Sequence, residues 1–386
     1  MTPAAHIAAA IEILDLILAG ENAQTSLTKW GRSNRFAGSG DRNAIRDIVY
    51  DALRQKNSLT KRSKKISGRS WIIALLQKSE VNFEDYFGAS RYSPPKIKKW
   101  ELDLLPIEND SDLHDIPDWL WPKWKAALGK KASDVANTLK ERANIFLRVN
   151  ITKCARKDAI QALQKDGIIS KLHPTVSTAL IVDEGTRNIK NSEAYNLGLV
   201  ELQDASSQAS VLQLSSCQNG PILDYCAGGG GKALALNAYL NKPIFAYDAN
   251  LFRMKDIPTR ASRSGADIRI IKSNDLKNSH YGLVFCDAPC SGSGTWRRDP
   301  EGKWSITLRD YKKLLSLQEN ILRTAAQLVQ ANGRLVYATC SVLKDENKTQ
   351  IQKFLANSNE WVLEKEKLFM PNELGDGFYF STLKKK

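Results

Sequence analysis

From about residue 220 the chain alternates short, continuously apolar runs with helical patterns, and this rhythm constrains the fold more than any other feature. PILDYCA (221–227), PIFAYDA (243–249), IRIIK (268–272), GLVFCDAPC (282–290) and RLVYATC (334–340) read as buried strands. Continuous apolarity, rather than alternation, is what strands covered on both faces require. KALALNAYL (232–240) reads as a helix, and so does the stripe Leu314, Leu317, Ile321, Ala325 and Leu328, which Gly333 is expected to stop. The expected fold class is α/β, a mainly parallel, doubly wound Rossmann-like sheet. WVLEKEKL (361–368) and GFYFSTL (377–383) are expected to add a C-terminal hairpin.

The beginning of the chain follows a different period. Ile7, Ile11, Leu14 and Leu18 fall at helical spacing, as do Ile45, Val49 and Leu53, with Ile48 and Ala52 widening the stripe. The expected organisation is an all-helical domain over 1–105, a connecting segment over 106–143, a small α/β domain over 144–215 and the sheet domain over 216–386. Pro94-Pro95 and the acidic, proline-containing stretch 106–122 mark the connection. The small domain shows a strand from Phe146 to Ile151, a helix from Lys157 to Gly167 and a strand at Leu180-Ile181-Val182.

An excess of 56 Lys+Arg over 42 Asp+Glu gives the 386 residues a net charge of +14, a field that favours polyanions, above all nucleic acid. Arg54 to Arg69 holds seven basic residues and no acid, followed by Trp71, Tyr86, Tyr92 and Trp100. A nucleic-acid footprint and a solvated helical face both account for that stretch. The six cysteines form no CxxC and have no histidine partners at zinc spacing, so reduced thiols are expected rather than a disulfide scaffold or metal site. No apolar run is long enough for a membrane span, and residues 4–19 carry His6, Glu12 and Asp15 without a basic leader, so a cytoplasmic location is expected.

Three constellations carry chemistry. Gly228, Gly229, Gly230 and Gly231 stand between a strand and its helix, where glycine lets a ligand approach the helix N-terminus. Asp248 ends the next strand, where an acid accepts ribose hydroxyls, so an adenosine-containing cofactor is expected at the carboxyl edge. Four consecutive glycines depart from the spaced dinucleotide fingerprint, and Gly231-Lys232-Ala233 lacks the hydroxyl of a magnesium-holding phosphate loop. Asp275 follows the third strand, where it meets the adenine or caps a loop. The second constellation is Asp287-Ala288-Pro289-Cys290 and the third Thr339-Cys340-Ser341, which bring two thiols to the same edge. Cys226 and Cys286 read as small buried hydrophobes with no thiol chemistry.

DYCAGGGGK, DAPCSGSGTWRRDP and YATCSVLKDEN resemble the signature blocks of the RsmB/Nop/Sun family of RNA (cytosine-5) methyltransferases. LRVN (147–150), LQDASSQ (202–208) and GDGFYF (375–380) agree, and RFAGSGDR (35–42) with IVYDALR (48–54) resembles the NusB-like start of the RsmB branch. The resemblance implies methyl transfer from S-adenosylmethionine to cytosine carbon 5, with a monomer acting on RNA, small-subunit (16S) ribosomal RNA above all, through a covalent Cys–cytosine intermediate. It implies Cys340 as nucleophile, Cys290 in product release and Asp287 at the base edge. Candidate cofactor contacts are Cys226, Ala227, Gly228, Gly229, Gly230, Gly231, Lys232, Asp248, Arg253, Asp275 and Asp287, and candidate RNA contacts are Arg297, Arg298 and Lys303. Trp296 and Trp304 suit core packing or base stacking. One departure stands out: Gly228-Gly229 replaces the family's usual Ala-Pro and loosens the loop. A transfer-RNA methyltransferase shares these motifs, and an inert RNA-binding assembly factor remains a rival supported by that departure. A nicotinamide oxidoreductase leaves both cysteine motifs unexplained.

Overall fold

The computed structural model describes residues 1–79, 81–214, 219–276 and 280–386. Cys217 and the expected boundary between 215 and 216 lie outside the described residues. The chain forms two compact units: Met1–Lys125 with Gly129–Arg142 and Trp296–Ser305, and Ala126–Leu128 with Ala143–Thr295 and Ile306–Lys386.

In the first unit the helical stripes do what their spacing requires. Helices Pro3–Leu18, Ala23–Ser33, Ser39–Arg54, Lys56–Arg62 and Gly68–Gln77 bury Ile13, Leu14, Ile45, Val49, Leu53, Leu59 and Trp71 in one core. Thr2, Asn22 and Ser67 cap three of them by accepting backbone N–H groups. Trp71 is therefore a core residue, while Tyr92 and Trp100 are exposed.

Residues 106–143 are more than a connection. They form helices at Asp110–Leu113, Trp121–Leu128 and Ala132–Thr138, and Trp124 is fully buried with its Nε1 donating to the Ala132 carbonyl at 2.9 Å. The segment 296–305 belongs to this same unit. Trp296 stacks on Trp124 at 6.0 Å, Trp304 Nε1 donates to the Leu53 carbonyl at 2.7 Å, and Lys303 Nζ donates to the Arg54 carbonyl at 2.8 Å. This corrects two of the expected RNA contacts, because Arg297 and Lys303 are both buried. Burial pushes the Lys303 amine down to about 7, an environment opposite to a solvated phosphate clamp. Of the three basic residues only Arg298 is exposed.

The second unit holds two sheets. Strands β1 (Ile145–Val149), β2 (Ser170–Leu172), β3 (Ala179–Val182) and β4 (Val200–Leu202) form an antiparallel sheet in the order β2-β3-β1-β4. Sequence patterning shows β1 and β3 but not β2 and β4, which have three residues each and too little length for a period. Strands β5 (Ile222–Asp224), β6 (Ile244–Ala246), β7 (Ile268–Ile270), β8 (Tyr281–Asp287), β9 (Val329–Thr339), β10 (Trp361–Phe369) and β11 (Phe378–Lys385) form the other, in the order β10-β11-β9-β8-β5-β6-β7. Strands β5 to β9 pair in parallel, and β10 and β11 form the expected antiparallel hairpin. The expected burial of IRIIK does not hold: β7 is the edge strand, and Arg269 and Ile270 are exposed.

Gly333 does not stop the preceding helix. That helix ends at Gln327, and Gly333 lies inside β9 beside Asn332, whose φ is +60°. Val329 already pairs with Tyr281, so sheet pairing takes the chain over before glycine is reached. Two other glycines are required by close approach. Gly294 N donates to the Cys340 carbonyl and Gly377 N to the Gly294 carbonyl, both at 2.9 Å. A Cβ at Gly377 would lie 2.6 Å from Gly294 Cα, so GDGFYF is held against the Pro-Cys loop by the absence of side chains. Among the described residues no helix is long and apolar enough to cross a membrane.

Candidate active site

The strand order reverses at β5, whose neighbours β6 and β8 are reached in opposite directions. Such a reversal opens a crevice at the carboxyl ends of the strands, the general ligand position in open α/β sheets. The glycine loop follows β5 there. Gly228 and Gly230 have φ of +49° and +81°, and Gly230 caps helix Gly231–Leu240 in a conformation that L side chains rarely adopt. The small sheet braces the loop from behind: Arg148 Nη1 donates to the Gly231 carbonyl at 2.9 Å and Gln203 Nε2 donates to it at 3.3 Å. Arg260 donates to the Gly229 carbonyl and pairs with the buried Glu201 at 3.4 Å. LRVN and LQDASSQ thus serve the glycine loop, although they lie at least 20 residues before it.

Three carboxylates meet at this edge. Asp248 is buried, accepts from the N–H groups of Gly228 and Asn250 at 2.9 Å each, and pairs with Arg253 at 3.2 Å. Asp287 ends β8, and its Oδ2 accepts from Lys232 Nζ at 2.9 Å. Lys232 also donates to Ser207 Oγ at 2.6 Å and stands 4.5 Å from the Phe378 ring centroid. Asp224, the last residue of β5, is wholly buried. Asp275 sits apart after β7, exposed, accepting from its own loop at Lys272 N. Cys226, expected to be buried, is partly exposed beside these carboxylates, and desolvation raises its thiol pKa strongly.

The two cysteine motifs come together. Cys290 Sγ and Cys340 Sγ are 3.4 Å apart, both partly exposed. The parallel register of β8 and β9 does this, setting Asp287 opposite Ala338 so that the two strands end level. Hydrogen bonding to Cys340 and then burial hold the Cys290 thiol well above the usual thiol range.

The sheet domain matches the family model described as 16S rRNA methyltransferase RsmB/F over residues 210–383, and the RsmF/B-like ferredoxin-like domain matches over 116–188. Ribosomal RNA small subunit methyltransferase B of Erwinia tasmaniensis is 30% identical over 308 residues, covering 75% of this chain and 71% of that protein. The namesake from Proteus mirabilis is 28% identical over 289 residues, covering 72% and 68%. The chain belongs to the RsmB/F methyltransferase family. Its fold is also similar to the crystal structure of PH0851 (TM-score 0.77, 22% identity, covering 100% of this chain and 99% of that one). NSun6 from Pyrococcus horikoshii shares it less extensively, with TM-score 0.61, 18% identity and 71% of this chain covered.

As a member of the RsmB/F family the protein is an S-adenosylmethionine-dependent RNA methyltransferase. The residues at the crevice fit that cofactor. A buried carboxylate just past β6 suits a ribose diol, and a cluster of acids suits a sulfonium cation. A Cβ at Gly231 would meet nothing closer than an arginine tip at 3.9 Å. The Gly228-Gly229 departure leaves these features standing, and the Arg260 contact holds the loop that a proline would otherwise stiffen.

Sequence reasoning on the RsmB/F chain missed two groups. Asp224 is pushed up to about 7, first by burial and then by the charge of Asp287. The unfolded carboxyl titrates near ~3.9, so the folded form is the stronger proton binder. Its stabilising contribution is complete below the unfolded value and is lost as the pH rises through about 7. Asp224→Asn is therefore expected to flatten the loss of stability between pH ~4 and ~7, and to melt above the parent at pH 8. Melting curves for both proteins across that range check this, and parallel curves would refute it. The other group is Glu346, quoted inside YATCSVLKDEN but given no role, because only the fold shows that it is fully buried.

Proposed function

We propose that the enzyme methylates carbon 5 of a cytosine in small-subunit ribosomal RNA through a covalent adduct with Cys340. The observation that supports this most is the pair of thiols 3.4 Å apart at the ends of adjacent strands. Carbon 5 of cytosine is a weak nucleophile, and addition of a thiolate to carbon 6 turns it into an enamine-like one. S-adenosylmethionine, when bound, supplies an electrophilic methyl group. In this reading Cys340 Sγ bonds to carbon 6, the methyl would pass to carbon 5 with the sulfonium leaving as a neutral thioether, and loss of the carbon 5 proton to solvent with rupture of the Sγ–carbon 6 bond restores aromaticity and returns the thiolate. Cys290, held as a thiol beside the leaving sulfur, assists that release. Asp287, with Oδ2 fixed by Lys232, turns its other oxygen to the amino and ring-nitrogen-3 edge of the base.

The glycine loop, Asp248 and Arg253 hold the cofactor in this reading, with Asp275 further out, and Arg298 contributes to the RNA surface. The target base leaves its stack to reach both thiols. The ribosomal target is supported by the similarity to small-subunit ribosomal RNA methyltransferases of Proteus mirabilis and Erwinia tasmaniensis, and with that target the enzyme would work in the cytoplasm, where ribosomes assemble. Incubation with unmethylated small-subunit rRNA or with tRNA and S-adenosylmethionine, followed by nucleoside mass spectrometry, tests it. 5-Methylcytosine in the rRNA is expected; methylation confined to tRNA overturns the target, and methylation at another atom overturns the chemistry.

A further inference from the structure

Glu346 is a fully buried carboxylate in the turn that follows Cys340, and it ties together three elements of the same unit. Its Oε1 accepts from Ser291 N at 2.8 Å and from Gln318 Nε2 at 3.0 Å. Its Oε2 accepts from the hydroxyls of Ser291 and Ser341, each at 2.5 Å. Ser291 follows Cys290 and Ser341 follows Cys340, so one side chain bonds the residue next to each thiol. Gln318, on helix Leu308–Gln327, also donates to the Pro289 carbonyl at 2.9 Å, on the other side of Cys290. A carboxylate has about four acceptor positions, and here four donors occupy them. Ser293 Oγ lies 2.8 Å from Ser341 Oγ and accepts from Val342 N at 3.0 Å, which closes the network.

Backbone bonds tie the Pro-Cys loop at its two ends, Ala288 N to the Ala338 carbonyl at 2.8 Å and Gly294 N to the Cys340 carbonyl at 2.9 Å, and the brace acts between them. The loop is connected to its strand at Asp287 and turns through Gly292, whose φ is +69°. A polar group at zero exposure is costly unless every lone pair is used, and a patch of leucine would pack the same space without that requirement. The carboxylate supplies direction: it fixes two backbones relative to each other through short, charge-assisted bonds.

We propose that Glu346 is a positioning residue that holds the Cys290 thiol against Cys340. The two-thiol reading of the reaction underlies its consequence for turnover, but the placement itself is measurable without RNA. Diamide, which takes two electrons and two protons from a thiol pair, joins Cys290 to Cys340 in the parent protein, and peptide mass spectrometry follows the rate. In Glu346→Ala, with its fold checked by melting and S-adenosylmethionine binding, this cross-linking is expected to slow by about ten-fold or more as proximity is lost. Glu346→Gln keeps an acceptor for the N–H donors and a donor for the two hydroxyls, and is expected to restore the rate to within ~3-fold of the parent.

With methylatable RNA, Glu346→Ala is also expected to accumulate the protein–RNA adduct, as a protein with a displaced Cys290 should, and Glu346→Gln to clear it. A folded Glu346→Ala protein that cross-links at the parent rate overturns the proposal, and so does a Gln variant as slow as the Ala variant. If the Ala variant does not fold, Ser291→Ala removes one hydroxyl from the brace and is expected to slow cross-linking about three-fold; the parent rate there also overturns it. Absence of any adduct in Glu346→Ala, with cross-linking affected as described, counts against the reaction scheme and leaves the positioning role intact.

Discussion

Cys340→Ala is expected to lose methyl transfer by on the order of 10³-fold or more, because it removes the sulfur that bonds to carbon 6 in the proposed reaction. Cys290→Ala is expected to fail differently. The thiolate of Cys340 still adds and the methyl group still transfers, but the adduct leaves slowly, so a denaturation-resistant protein–RNA complex accumulates. Combining the two substitutions should abolish that complex. Gel electrophoresis under denaturing conditions with labelled RNA reads all three outcomes. The 3.4 Å separation is what makes the assignment testable, since either sulfur occupies nearly the same position relative to a flipped base. An adduct that survives loss of Cys340 would exchange the two roles.

Asp287→Ala is expected to lower kcat by about 10²–10³-fold, the typical effect of removing one preorganised polar group aimed at developing charge. The substitution also strips Lys232 of its partner, leaving a largely buried amine with Ser207 Oγ and the face of Phe378. Asp287→Asn keeps an acceptor at the base edge but not the charge that holds Lys232, and an intermediate rate is expected. Single-turnover kinetics with saturating RNA separates this from a cofactor effect, which calorimetric titration of S-adenosylmethionine measures independently. A parental single-turnover rate in Asp287→Ala would remove the residue from the chemistry.

Much of this sheet edge is legible in the sequence. Apolar continuity identified five parallel strands, and once the strands are placed, residues at their carboxyl ends must share an edge. That is why Asp248, Asp287, Cys290 and Cys340 could be grouped although they span 93 positions from first to last. The helical start was legible for the same reason, a period of 3.6 residues in the apolar positions.

Charge was the weaker guide. Arg297 and Lys303 are basic residues immediately after the Pro-Cys block, yet they are buried in the helical unit, where Lys303 ends on a backbone carbonyl. A run of basic residues fixes the sign of the field but not which side chains face water. Glu346 is the converse case: an acid in a polar-looking stretch, KDEN, that proves to have no exposure at all. Asp275, grouped with the cofactor contacts by its strand order, lies on a surface turn that it caps itself.

The sequence alone determined the sheet, its doubly wound direction and the set of side chains at its carboxyl edge, because local periodicity and strand order are properties of a single chain read in order. Only the tertiary structure decided that the two thiols touch, that Glu346 binds the loops carrying them, and that the small sheet braces the glycine loop through Arg148 and Gln203. Those facts depend on register between strands and on hydrogen bonds between residues tens to scores of positions apart, and neither leaves a period or a spacing in the sequence to be read.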